Sequence, residues 1–219
     1  MATCKYCDRK GLFLSVNIHG LCSTCNNQIA TETKLYLQSM NECIKKSESV
    51  SKILDRTKFC DRGIYIAEKL LEYEKRGIPT TTVKPSEIIK IFNDKKLAFI
   101  HDGLREEALQ AIEKSQMAST TNGKITALSK VILKIAEFRK TMNEDRDLDI
   151  LENGLRKDIQ QIQFNSYLDQ AKLAEFKNNK KKALDKYYEA LYFLQHDDID
   201  DALQTDSIKT IETKIKELS

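Results

Sequence analysis

Cys4-Lys5-Tyr6-Cys7 and Cys22-Ser23-Thr24-Cys25-Asn26-Asn27-Gln28-Ile29 set the plan of this chain. Two Cys-x-x-Cys pairs stand 14 residues apart. Each pair puts two thiolates on one tight turn, and two such turns complete the four-sulfur shell that zinc prefers, with Zn–S near ~2.3 Å. The spacing falls within about one residue of known four-cysteine zinc patterns. Cys4, Cys7, Cys22 and Cys25 are therefore expected to hold a structural Zn2+, since four sulfurs leave no position open to water or substrate. Iron–sulfur ligation draws on the same thiolates and stays open. A disulfide pairing needs an oxidising compartment, and a redox Cys-x-x-Cys needs a βαβ setting that is missing here.

Between the pairs, Gly11-Leu12-Phe13-Leu14 and Val16-Asn17-Ile18-His19-Gly20 carry β-formers, which predict a short hairpin ending in a His19-Gly20 turn. Asn26 is the expected N-cap of the helix that follows. Knuckle, hairpin, knuckle, helix is the order of treble-clef fingers, and residues 4–40 resemble one; a zinc ribbon is the alternative if the helix starts later. Some thirty residues cannot bury enough surface to fold unaided, so the metal is expected to supply much of the local stability. His19 is expected as a turn residue rather than a ligand. Cys43 and Cys60 stand alone at apolar positions and read as small buried hydrophobes.

Outward from the finger the chain reads as helix. Ile29, Thr33, Tyr36, Met40, Cys43, Ser47, Val50 and Leu54 recur at steps of four and three, predicting one helical stripe about seven turns long. The stripe is expected to pack within its own chain, with a homo-oligomer through this helix as another possibility. Cys60, Ile64, Ala67 and Leu71, widened by Ile66, Leu70 and Tyr73, predict a second helix closing an antiparallel hairpin at Lys75-Arg76-Gly77. Pro79 and Pro85 force an extended path that reads as the domain boundary. Further helices are expected from Ser86, with a break near His101-Asp102-Gly103, then after a Thr120–Gly123 turn, and from about Asp147 to about Lys177. Leu203, Ile208, Ile211, Ile215 and Leu218 predict a last one. The expected layout is a finger over 1–28, a helical hairpin over 29–77, a linker over 78–85 and a helical domain over 86–219. The fold class is all-α: helical hairpins or a bundle with a small N-terminal finger.

Residues 164–194 read as two short helices about a polar turn at 177–182. Tyr167, Ala171, Ala183, Tyr187 and Ala190 stand where a tetratricopeptide unit has its marks, and the segment resembles one such unit. Gln170, Ala174 and Gln195 depart from that pattern. The resemblance implies a docking surface for another protein, with Tyr167, Tyr187 and Tyr188 as its candidates. The whole order also resembles uncharacterised bacterial and phage-encoded proteins, which implies no established activity beyond the thought of an inhibitor that blocks a host enzyme.

Composition excludes several classes. Among 219 residues there are 7 Gly and 2 Pro, too few turn residues for a sandwich or barrel. No pair of glycines permits a phosphate loop. No apolar run is long enough to span a membrane, and a start without an apolar leader gives a cytoplasmic expectation. The three histidines, His19, His101 and His196, read as loop residues, and no hydrolase or zincin motif occurs. The expectation is a non-catalytic interaction module or adaptor. The His196–Asp201 run lacks calcium-loop spacing and reads as a solvated linker. Net charge is +3, and residues 1–60 hold 9 basic against 5 acidic side chains. That excess supports a second expectation, nucleic-acid contact through Lys5, Arg9 and Lys10 with Tyr6 or Phe13 stacking on bases.

Overall fold

Amphipathic stripes with few helix breakers give an all-α chain. In the computed structural model, residues 1–142, 144–196 and 201–219 are described, the side chains of 201–203 excepted. The expectations placed on residues 197–200 and on the side chain of Leu203 lie outside them. Among the described residues there are seven helices: α1 Ser23–Ser49, α2 Ile53–Lys75, α3 Pro85–Met117, α4 Thr121–Arg139, α5 Arg146–Phe176, α6 Lys180–Gln195 and α7 Asp201–Leu218. Among the described residues the only sheet pairs β1 Ala2–Thr3 with β2 Lys10–Gly11, antiparallel.

The chain divides into two compact units, Met1–Gly103 and Leu104–Ser219. This corrects the expected layout in two ways. The finger is not a separate module over 1–28: Cys4, Leu21, Cys22 and Cys25 lie in one buried cluster with Ile29, Met40, Cys43, Cys60, Leu70 and Phe92. Nor is 78–85 the boundary. Ile78 is buried, its N–H donates to Tyr73 O at 3.0 Å, and Phe92 and Phe99 of α3 return to the same core.

The first long stripe is cut short. α1 ends at Ser49, Val50 is extended, and Leu54 belongs to α2 with its side chain in solvent. The period runs on through Val50-Ser51-Lys52, so spacing alone carries the helix across a corner. The rest of the stripe behaves as expected: Ile29, Thr33, Met40, Cys43 and Ser47 are buried and α1 packs on α2. Ser47 Oγ donates to Ile44 O at 2.8 Å, which lets a serine occupy the core. This stripe forms the seam of the α1–α2 hairpin, the packing within its own chain that its spacing predicts. Burial pushes the Cys43 and Cys60 thiols up, as for core cysteines. α2 ends where Lys75-Arg76-Gly77 predicts, with Gly77 at φ +67°.

α3 passes through Gly103 without the expected break. A Cβ there would meet Ile53 Cγ1 at 2.4 Å, and one at Gly63 would meet Phe92 Cε1 at 2.4 Å. Both glycines serve the close approach of α2 and α3. His101 accordingly sits within a helix rather than a loop.

In the second unit α4 packs on α5, α5 on α6 and α6 on α7. Thr120 caps α4 by accepting from the Gly123 N–H, so 121–123 are helix rather than turn. Asp145 caps α5 through two backbone N–H groups. Residues 164–176 are the end of the 31-residue α5, not a short helix of their own, and 180–182 begin α6, leaving Lys177–Asn179 as the turn. Ala171, Ala183, Tyr187 and Ala190 share a buried cluster with Ile211 and Ile215 of α7.

Candidate metal centre

The two cysteine pairs are shaped by different elements. Pairing of Thr3 with Lys10 closes the first loop. Within it Cys4 N–H donates to Arg9 O at 3.0 Å, Asp8 N–H donates to Cys4 O at 2.9 Å, and Asp8 takes a left-handed φ of 56°. The expected short hairpin is present, but it pairs Ala2–Thr3 with Lys10–Gly11 rather than two strands within 11–20. Val16 makes a single bridge to Cys22, and Leu12, Phe13 and Ile18 occupy turns. The second pair sits at the head of α1, with Cys22 as N-cap and Cys25 in the first turn. This corrects the assignment of Asn26 as cap.

Asn17 organises the approach to that helix, and sequence reading passed it over. Its Oδ1 accepts from the His19 and Leu21 N–H groups, each at 3.0 Å, and its Nδ2 donates to Asn26 Oδ1 at 2.7 Å. An asparagine folding its own loop in this way is a common turn device, the one signal by which it was legible. Gly20 sits at φ +77°, and its carbonyl accepts from Lys5 N–H at 2.9 Å, tying one loop to the other.

These elements bring the four expected ligands together. The sulfurs of Cys4, Cys7, Cys22 and Cys25 all lie within 4.8 Å of one another, and among the described residues this is the one such group. A tetrahedral ion with metal–sulfur bonds of ~2.3 Å needs sulfurs about 3.8 Å apart, a small contraction. Cys4, Cys22 and Cys25 are buried and Cys7 is exposed. Backbone N–H groups, first that of Cys22 at 3.4 Å, lower the Cys4 thiol to about 6. Burial, and then the crowd of neighbouring sulfurs, raises Cys25 to about 12. One thiolate is thus prepared by the fold, while another lacks a counter-charge. A cation among four sulfurs supplies it, so the donor set fits a thiophilic metal ion.

The finger is fastened to the end of α2. The Tyr6 and Tyr73 rings lie 5.8 Å apart, the Arg76 guanidinium stands 5.4 Å over Tyr6, and Arg76 Nη1 donates to Tyr6 O at 3.1 Å. Tyr73 Oη donates to Glu32 on α1. Tyr6 is therefore a packing residue, not a free stacking group. Lys5, Arg9, Lys10 and Phe13 are exposed.

The expected partner tyrosines separate. Tyr187 is 2% exposed, donates to Glu175, and belongs to the core. Tyr167 is half-buried beside Phe193 at 5.8 Å. Tyr188 is exposed, and with Tyr167 and Tyr192 it lines a cleft of about 960 Å³ between α5 and α6. Tyr192, stacked on His196 at 3.9 Å, is the surface ring that sequence reading missed. No helix of the described chain is long and apolar enough to cross a membrane. Comparison with known protein families, curated proteins and solved structures finds no match to this chain.

Proposed function

We propose that the chain is a non-catalytic adaptor in which a structural zinc ion fixes the N-terminal finger and the C-terminal helices offer a docking surface to another protein. The observation that carries the reading is the convergence of four cysteine sulfurs within 4.8 Å, on a loop and a helix start that are part of the core of the first unit. A closed four-sulfur set is saturated and has no position for substrate, so its role is to hold structure. The first pair on a small hairpin and the second in the opening turn of α1 favour a treble-clef arrangement over a ribbon. The cleft with Tyr188 and Tyr192 at its rim supports the docking role, since exposed tyrosines combine apolar area with a polar tip.

The test places a photo-crosslinking residue at Tyr188, at Tyr192 or at exposed Lys172 in the full chain. Capture of one defined protein from the first two positions and not from the third is the expected result. Equal capture from all three, or from none, refutes the docking surface.

A further inference from the structure

The finger exposes more apolar surface than its fold needs. Leu14 N–H donates to Gly11 O at 3.4 Å and Gly20 N–H to Asn17 O at 2.9 Å. Leu12 and Phe13 are therefore the corners of one turn, and Ile18 is a corner of the next. Turn corners are normally Gly, Pro, Asn, Asp or Ser, each for a backbone reason that leucine, phenylalanine and isoleucine do not share. Their side chains are 79%, 101% and 94% exposed. Pairing of Ala2 with Gly11 sets Met1, 90% exposed, abreast of Leu12. Folding leaves all four in water, Met1, Leu12 and Phe13 stand together by register and chain, and a group of exposed apolar side chains of this kind marks an interaction site.

Charge and shape indicate what covers them. The charged side chains of residues 1–30 are Lys5, Arg9 and Lys10 against Asp8 alone, and the three cations are exposed. The apolar groups project from turn tips. Exposed apolar turn corners with the exposed cations Arg9 and Lys10 beside them in the chain suit a fluid anionic surface, which needs no complementary cleft. Nucleic acid fits less well, because three of the four apolar groups are aliphatic and cannot stack, while the Tyr6 ring is already engaged with Tyr73 and Arg76. We propose that the finger docks on an anionic lipid surface, inserting Leu12, Phe13 and Ile18 while Lys5, Arg9 and Lys10 meet the headgroups. Small buried apolar area and a few cations give weak, reversible attachment.

The experiment is co-sedimentation of the full chain with phosphatidylcholine vesicles, with or without about one fifth phosphatidylserine, at low and moderate salt. Binding to the anionic vesicles, falling with salt, is expected. Phe13→Ser and Ile18→Ser should each weaken it about tenfold, and Arg9→Glu with Lys10→Glu should abolish the preference for phosphatidylserine. These side chains touch little of the core, so metal content and circular dichroism should be unchanged and report the fold independently. A gel shift with single-stranded RNA is the competing arm. Absence of vesicle binding, vesicle binding indifferent to Phe13→Ser and Ile18→Ser, or RNA binding alone sensitive to them overturns the proposal.

Discussion

Gly63→Ala and Gly154→Ala make the same change in two helices, and the structure assigns them opposite signs. Replacing a glycine inside a helix by alanine gains ~1 kcal/mol in backbone entropy. At Gly154, on α5, an added Cβ meets none of the described residues within 4 Å, so that gain is expressed as a stabilisation of ~0.5–1 kcal/mol. At Gly63 the same methyl would stand 2.4 Å from both Cε1 and Cζ of Phe92. Phe92 is 2% exposed and lies in the cluster that includes Cys60 and Leu70. Its ring must retreat by about 1 Å to reach ordinary contact, against a packed core where such insertions cost ~1–3 kcal/mol. With so short a contact the upper part of that range applies, and the net loss is ~1–2 kcal/mol. For a unit of about 100 residues this lowers Tm by ~5–10 °C, measured by far-UV circular dichroism with urea titration as the second readout. Phe92→Leu should recover part of the loss when combined with Gly63→Ala, as coupled neighbours do. If Gly63→Ala stabilises as Gly154→Ala does, the close packing of α2 on α3 is wrong.

Further outcomes follow from single contacts. The bond from Tyr73 lowers the Glu32 carboxyl below its ordinary 4.5, and burial, then that same bond, raises Tyr73 above its ordinary 10.0. Glu32 therefore contributes stability that is present above about 4.5 and lost as pH falls, while the Tyr73 contribution is full below about 10 and lost as pH rises. Tyr73→Phe should cost ~1–2 kcal/mol at neutral pH and flatten the fall in stability as pH drops below about 4.5, followed by urea titration at each pH; an unchanged acid slope contradicts the pairing. Thr33 is buried with no partner for its hydroxyl among the described residues, so Thr33→Val should be neutral or stabilise by up to ~1 kcal/mol, and a loss above that in thermal melts counts against the burial of this face. Asn17→Ala removes the acceptor for two loop N–H groups and should weaken metal binding about 10–100-fold in chelator competition, as loss of an outer-shell support does; undiminished affinity would show that the loop holds without it.

How much of this was legible in the sequence depended on how local each feature is. The Cys4–Cys25 spacing announces its geometry because four ligands to one ion constrain their own turns. Helix phase was legible wherever a stripe repeats, as at Leu128, Val131 and Ile135, all buried. It failed where the stripe outlives the helix, at Val50–Lys52. Gly103 read as a break because an isolated glycine weakens a helix, and only the position of Ile53 shows why it is tolerated. The strands fall elsewhere than propensity predicts because Phe13 and Ile18 have β propensity yet sit at turn corners, while the ladder uses Ala2–Thr3 and Lys10–Gly11, of which Thr3 alone is a strand former. Tyr187 and Tyr188 are neighbours in sequence but about 100° apart on a helix; the phase of Ala183, Ala190 and Leu194 decides that the first is core and the second surface.

The central claim is most directly tested by native mass spectrometry of the full chain beside its Cys22→Ser variant, with X-ray absorption at the bound metal. The account predicts one zinc per chain, four sulfur neighbours near ~2.3 Å, and a sharp loss of metal and of first-unit stability in Cys22→Ser. A chain that purifies without metal yet remains fully folded, or a bound ion with nitrogen or oxygen neighbours, would contradict it.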